Sequence, residues 1–113
     1  MKKEPVLGRK LVLETRTDTP DGRGGFATSW SAVGTLWAEV TARSGRQALV
    51  GGRITQRVAY RVVVRGAPVG SPSRPRPDQR FREGSRIFTI IAVSENDPEG
   101  RYLECWTEEG QQP

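Results

Sequence analysis

The feature that most constrains this chain is a period-two alternation of apolar and polar residues, interrupted again and again by glycine and proline. It is clearest from Thr35 to Ala42, where Leu36, Ala38 and Val40 alternate with Trp37, Glu39 and Thr41. Val58 to Arg65 repeats it, with Val58, Tyr60, Val62 and Val64 on one side and Arg61 and Arg65 on the other. Successive side chains of a strand point to opposite faces, so this pattern gives each segment one buriable face, whereas a helix would scatter the same residues around its circumference. Further strands are expected at Arg9 to Thr17, in a return strand from Phe26 through Trp30, at Gln79 to Arg82, at Ser85 to Val93 and at Arg101 to Thr107. The 13 glycines and 8 prolines fall largely between them. Pro20-Asp21-Gly22-Arg23-Gly24-Gly25, Glu83-Gly84 and Asn96-Asp97-Pro98-Glu99-Gly100 carry turn chemistry. The fold class expected is all-β, a small antiparallel barrel or sandwich of six to seven strands.

Two connections are too long for simple turns. Arg43 to Arg57 is expected as a loop with at most one helical turn around Gln47 to Val50, which Gly51-Gly52 would end. Gly66 to Asp78 holds Pro68, Pro72, Pro75 and Pro77, and its Ser73-Arg74-Pro75-Arg76-Pro77 run favours an extended, exposed, polyproline-like arm. Long loops in small domains tend to be functional or disordered. At 113 residues the chain is expected to form one domain over 1–113, with 1–6 and 108–113 as flexible tails.

Composition narrows the chemistry. Histidine is absent and Cys105 is the only cysteine, so no disulfide within the chain and no Cys/His zinc site can form, and the usual Ser/His and Cys/His nucleophile pairs are excluded. Glu14, Glu39 and Glu104 each alternate with apolar residues and read as outward charges of strands. Gly22-Arg23-Gly24-Gly25 lacks the helix and the Gly-Lys-Ser/Thr ending of a phosphate-binding loop. Cys105 reads as a small core residue, and Trp30, Trp37 and Trp106 read as packing residues. The expectation is a non-enzyme without cofactor or metal. The basic N-terminus runs into only a short apolar stretch, and no window approaches the roughly 18 apolar residues of a membrane span. A soluble, cytosolic protein without a membrane partner is expected.

The net charge of +5 is unevenly spread. Met1 to Ser94 carries 17 basic and 7 acidic residues, a net of +10, while Glu95 to Pro113 carries one basic and six acidic residues, a net of −5. Either the two stretches occupy different surfaces and meet different partners, or the acidic stretch compensates nearby arginines. Arginine far outnumbers lysine, and its planar fork suits phosphates. Two groups result: Arg43, Arg46, Arg53 and Arg57 in the first long connection, with Gln47 and Gln56 among them, and Arg74, Arg76, Arg80, Arg82 and Arg86 in and after the second. Residues of this kind contact a DNA backbone without reading sequence, and such binding weakens steeply with salt.

Taken in order, Asp21-Gly22 and Gly24-Gly25, Trp30, Leu36-Trp37-Ala38-Glu39-Val40, Ser44-Gly45-Arg46, Tyr60-Arg61-Val62, Arg80-Phe81, Gly84, Arg86, Ile87 and Ile90 resemble the phage head-tail joining family. These are the adaptor or stopper connectors of long-tailed phages and gene transfer agents, and the resemblance runs from about Leu7 to Thr107. It implies a β-barrel subunit of a homo-oligomeric ring, sixfold or twelvefold, in a virion or phage-like particle assembled in the bacterial cytoplasm. The partners it implies are a portal or adaptor protein above, a tail-terminator or tail protein below and double-stranded DNA in the channel. The loop after the Trp-Ala-Glu-Val strand, Ala42 to Gln56 here, would close that channel. About fifteen residues running out and back reach about 25 Å at about 3.3 Å per residue. Arg43, Arg46, Gln47, Arg53 and Gln56 would then face DNA, and Arg74, Arg76, Arg80 and Arg82 would contact DNA or a partner protein. Here Gln47-Ala48-Leu49-Val50-Gly51-Gly52 replaces the acidic and aromatic residues that relatives often carry after Ser-Gly-Arg, and the Gly66 to Asp78 connection is longer than usual. The alternative from another class is a small monomeric β-barrel nucleic-acid-binding protein; a hydrolase would need a carboxylate pair in a pocket.

Overall fold

The computed structural model describes residues 4–50 and 52–111, with backbone alone for 46–50, 53–55 and 111. Six strands follow one another: β1 (Arg9–Pro20), β2 (Phe26–Val50), β3 (Arg53–Arg65), β4 (Arg80–Glu83), β5 (Arg86–Glu95) and β6 (Tyr102–Gln111). All pairings are antiparallel, and the order β1-β2-β3-β6-β5-β4 returns to β1 through Val12–Glu14 against Arg80–Arg82, closing the sheet into a barrel. Closure leaves the central strands without an open edge.

Alternation decides what lies inside. Leu11, Leu13, Ala38, Val62, Val64, Phe81, Phe88, Ile90, Leu103 and Cys105 form the buried core, with Leu36, Val40, Tyr60 and Val93 packed on it. The inward sets expected for Thr35 to Ala42 and, from Tyr60 to Val64, for the Val58 to Arg65 strand are those observed, although Val63 on the alternate face is fully buried as well. Trp37 and Trp106 are corrections, because they belong to the outward sets and are exposed.

β2 is the second correction. The expected Phe26 and Thr35 strands form one strand of 25 residues, whose first half pairs with β1 and whose second half pairs with β3, the change of partner falling at Ala38. Both halves outrun the barrel. β1 and the first half of β2 continue from one mouth as a hairpin ribbon, and the second half of β2 continues with β3 from the opposite mouth. The molecule is accordingly elongated, 51 × 33 × 23 Å. The β2 to β3 connection is therefore not the loop expected for Arg43 to Arg57. Its register runs unbroken from Ser44↔Ala59 to Val50↔Arg53, and the chain reverses between Val50 and Arg53, with Gly52 at φ 78°, where a side chain would be strained. Alternation over Gln47 to Gln56 is weak and Gly51-Gly52 interrupts it, which hides the strand from pattern reading.

The Gly66 to Asp78 connection departs from expectation too. β3 and β4 lie on opposite sides of the ring, so their link must cross the mouth rather than project from it. Pro75 is fully buried, Arg74 Nη1 donates to Ala67 O at 3.0 Å, and Ile90 N donates to Gln79 O at 3.1 Å. At its start Gly66 N donates to Arg101 O at 2.7 Å, with the Gly100 backbone so close that no side chain fits. Proline suits a lid that needs few backbone donors. Glu108 to Gln111, expected as part of a tail, extend β6 against β3, and Val6 N donates to Glu39 Oε2 at 2.9 Å within the other expected tail.

Candidate functional site

The β2–β3 ribbon concentrates one sign of charge. Between Ala42 and Ala59 the sequence holds Arg43, Arg46, Arg53 and Arg57 and no acidic residue. Arg43 is the extra residue of a bulge between Ala42 and Ser44, and it is exposed, as is Gln56. Arg46 stands opposite Arg57 and Gln47 opposite Gln56 in the ladder, while Arg53 follows the turn opposite Val50. The side chains of Arg46, Gln47 and Arg53 lie outside the described residues. Arg57 lies over Gly110, where an added Cβ would come within 2.6 Å of its Nη1. β6 supports the ribbon only as far as the Gln56↔Gln111 pair, so its last turn is two-stranded. From Ala42 to Val50 the ribbon spans about 27 Å at about 3.4 Å per residue. Opposed like charges destabilise a hairpin by a few tenths of a kcal/mol or more, so the arginine pair at its centre is poorly explained by folding.

The barrel mouth beneath this ribbon is closed by ions. Arg86 donates through Nε and Nη2 to Glu109 at 2.8 and 3.0 Å and through Nη2 to Tyr60 Oη at 3.2 Å. It also stacks over Phe88, 4.9 Å from the ring centroid. Glu83 pairs with Arg9 through two hydrogen bonds and lies 3.9 Å from Arg86. The Arg86 hydrogen bonds hold the Glu109 carboxyl below the ordinary carboxylate range, and those from Arg9 do the same for Glu83. No cluster of metal-ligating residues occurs among the described residues.

The second arginine group divides. Arg80 and Arg82 each donate through Nε to Glu14, at 2.7 and 2.9 Å, and Arg80 also covers Trp30. Both therefore fasten the barrel to the base of the β1–β2 ribbon. Arg74 is held within the lid by Ala67, and Arg76 is exposed. Glu14, read from sequence as an outward charge, is only 7% exposed. On the outer face Arg61 bridges Glu104 at 2.6 Å and Glu39 at 3.7 Å. With Glu104, Glu109 and Asp97 all paired to arginines, the acidic C-terminal stretch compensates its neighbours. The uneven charge that survives lies between the two ribbons, one basic and the other, β1–β2, with Arg16, Asp18, Asp21 and Arg23 in balance.

The profile of the phage head completion protein family matches residues 3–110. This chain belongs to that family. Among solved structures it is similar to a chain of the virion of a native gene transfer agent particle, with 50% sequence identity and a TM-score of 0.88, over 96% of this chain and 98% of the other. A search of curated proteins finds no match. Membership in the head completion family agrees with the head-tail resemblance carried by the Trp-Ala-Glu-Val and Ser-Gly-Arg segments.

Proposed function

We propose that this chain is a structural head-tail connector of a tailed phage or phage-like particle, forming a ring beneath the portal that closes the DNA channel and docks the tail. The observation that carries the reading is the β2–β3 ribbon: a hairpin bearing arginines and no acidic residue that runs on beyond the barrel ring from Ser44 to Val50, about 20 Å at about 3.4 Å per residue, in a member of the head completion family. A ring of such ribbons aimed inward obstructs a channel sterically, and its arginines meet phosphates without regard to base sequence. A hairpin anchored to the barrel by β6 resists the pressure of packaged DNA better than a loop and swings as a unit when the tail arrives. The mechanism needs no catalysis, in keeping with the structural role that the family description conveys.

Deleting Arg46 to Arg53 removes the two-stranded tip of the ribbon and the first pairs that β6 supports. Particles carrying the deletion are expected to assemble and fill, and then to lose DNA before tail joining at least tenfold more often than the parent. DNA retention equal to the parent's would place the closure elsewhere.

A further inference from the structure

The β1–β2 ribbon has two unsatisfied edges. β4 pairs with β1 only at Val12–Glu14, and β3 pairs with β2 only from Ala38 onward, so among the described residues no strand flanks Thr15–Pro20 on one side or Phe26–Trp37 on the other. Proteins guard exposed edges with charges, proline or bulges, because free backbone N–H and C=O groups recruit further strands. The β1 edge carries Arg16 and Asp18, which neutralise each other, and its proline, Pro20, sits only at the tip, so its main chain from Thr15 to Thr19 is also free to pair. The β2 edge, from Phe26 to Trp37, has twelve residues without a charge or a proline, and its one bulge lies at Val33, close to the barrel. The lid residues Gly70 to Pro72 line a cleft with Thr15 and Val33 at that base, and Ala27, Thr28, Ser29 and Ser31 are exposed.

We propose that the open edge of β2 at Ala27 to Ser31 pairs with the β1 edge at Thr15 to Thr19 of a second copy of this chain. This inference rests on the ring reading above. The two edges are complementary by construction. Laid straight, the 25 residues of β2 would span about 80 Å at about 3.3 Å per residue, so in a molecule 51 Å long the two ribbons bend away from one line, and the β1–β2 ribbons can stand along the ring axis while the β2–β3 ribbons turn inward. About such an axis β2 of one copy lies beside β1 of the next, antiparallel as within a single ribbon. The contact is head to tail, so it propagates and closes into a collar with two strands per copy. Electrostatics do not oppose it. The charges on the β1 edge, Arg16 and Asp18, pair with each other at 3.0 Å, and the facing edge carries none. Main-chain hydrogen bonds would supply the affinity, as in other strand additions.

The test uses two distinguishable chains, both Cys105→Ala, one carrying Thr17→Cys and the other a cysteine at Ala27, Ser29 or Ser31. The chains are co-produced, incorporated into particles and oxidised. Disulfides need Cβ atoms within about 4.5 Å, so only adjacent edges join. Mixed dimers at least tenfold above the level from either chain alone are expected for at least one of the three β2 positions. Predominant self-dimers of the β2 variants would overturn the head-to-tail pairing. An assembled ring without mixed dimers overturns the strand pairing and leaves the ring reading standing. Absence of a ring in the parent particle overturns both. Independently, Ser29→Lys with native Cys105 is expected to lower incorporation at least tenfold while moving the melting temperature by less than about 2 °C. Unchanged incorporation would contradict the proposal.

Discussion

The Arg80 guanidinium lies 4.1 Å from the centroid of the Trp30 ring while its Nε donates to Glu14 at 2.7 Å. With Arg82 on the other carboxylate oxygen, this contact ties the base of the β1–β2 ribbon to the shortest strand of the barrel. Burial alone would raise the Glu14 pKa, but the two arginines outweigh it and the carboxyl stays ionised below its ordinary range. Glu14→Ala leaves Arg80 without its carboxylate partner in a partly buried site. We expect a loss of about 2 kcal/mol in urea unfolding, kept below the cost for a fully buried pair because Arg82 is more than a third exposed. A change under about 0.5 kcal/mol would show that this cluster does not hold the ribbon.

Acid should loosen the same ties. Glu14, Glu83 and Glu109 all have lowered folded-state values, so their contribution is complete above the unfolded carboxyl pKa of about 4.3 and is lost as pH falls through the folded values. The melting temperature should hold steady from pH 7 to about pH 5 and fall below about pH 4. In Glu109→Gln that fall should be shallower. A melting temperature independent of pH down to pH 3 would contradict the assignment.

Trp37 and Phe88 separate surface from core. Trp37 is 55% exposed on the outward set of β2, so Trp37→Ala should cost less than about 1 kcal/mol. Phe88 is fully buried against Tyr60, with ring centroids 5.2 Å apart, and Phe88→Ala should cost about 3 to 5 kcal/mol. Equal losses in the two variants would place Trp37 inside.

The barrel strands were legible because each has one buried face, which writes Val62/Val64 or Leu103/Cys105 into the sequence at every second position. The β2–β3 ribbon was not, since Gln47 to Gln56 shows no sustained period-two pattern and is broken by Gly51-Gly52. Its arginines still identified it as the candidate contact surface. Arg80 and Arg82 look the same as Arg43 in sequence, and only the pairing of Val12–Glu14 with β4 reveals that Glu14 engages them. Trp37 misled for a related reason: a large aromatic in a strand suggests a core, whereas the neighbouring Leu36 and Ala38 had already taken the inner face.

Gly66 is required by space. A Cβ there would collide with the Gly100 carbonyl oxygen, a backbone atom held in its turn, while a Cβ at Gly34 meets nothing within 4 Å. Gly66→Ala should destabilise by about 1 to 3 kcal/mol and Gly34→Ala by less than about 0.5 kcal/mol, read from thermal or urea melts. Equal effects would mean that the lid can shift away from the barrel.

Cys105 reports on the core directly. Burial pushes its thiol up to about 12, so a thiol reagent at pH 8 should label it only when the barrel opens. Labelling should track global unfolding in urea, and labelling within seconds in native buffer would show that the barrel breathes.

The central claim concerns where the basic ribbon points. A focused reconstruction of the portal vertex in DNA-filled, tailless particles tests it most directly. The account predicts a ring of this chain beneath the portal, with the tips of the β2–β3 ribbons meeting at the axis and Arg43 to Arg57 against DNA. A ring whose β2–β3 ribbons lie on its outer wall, with an open channel through the centre, would contradict it.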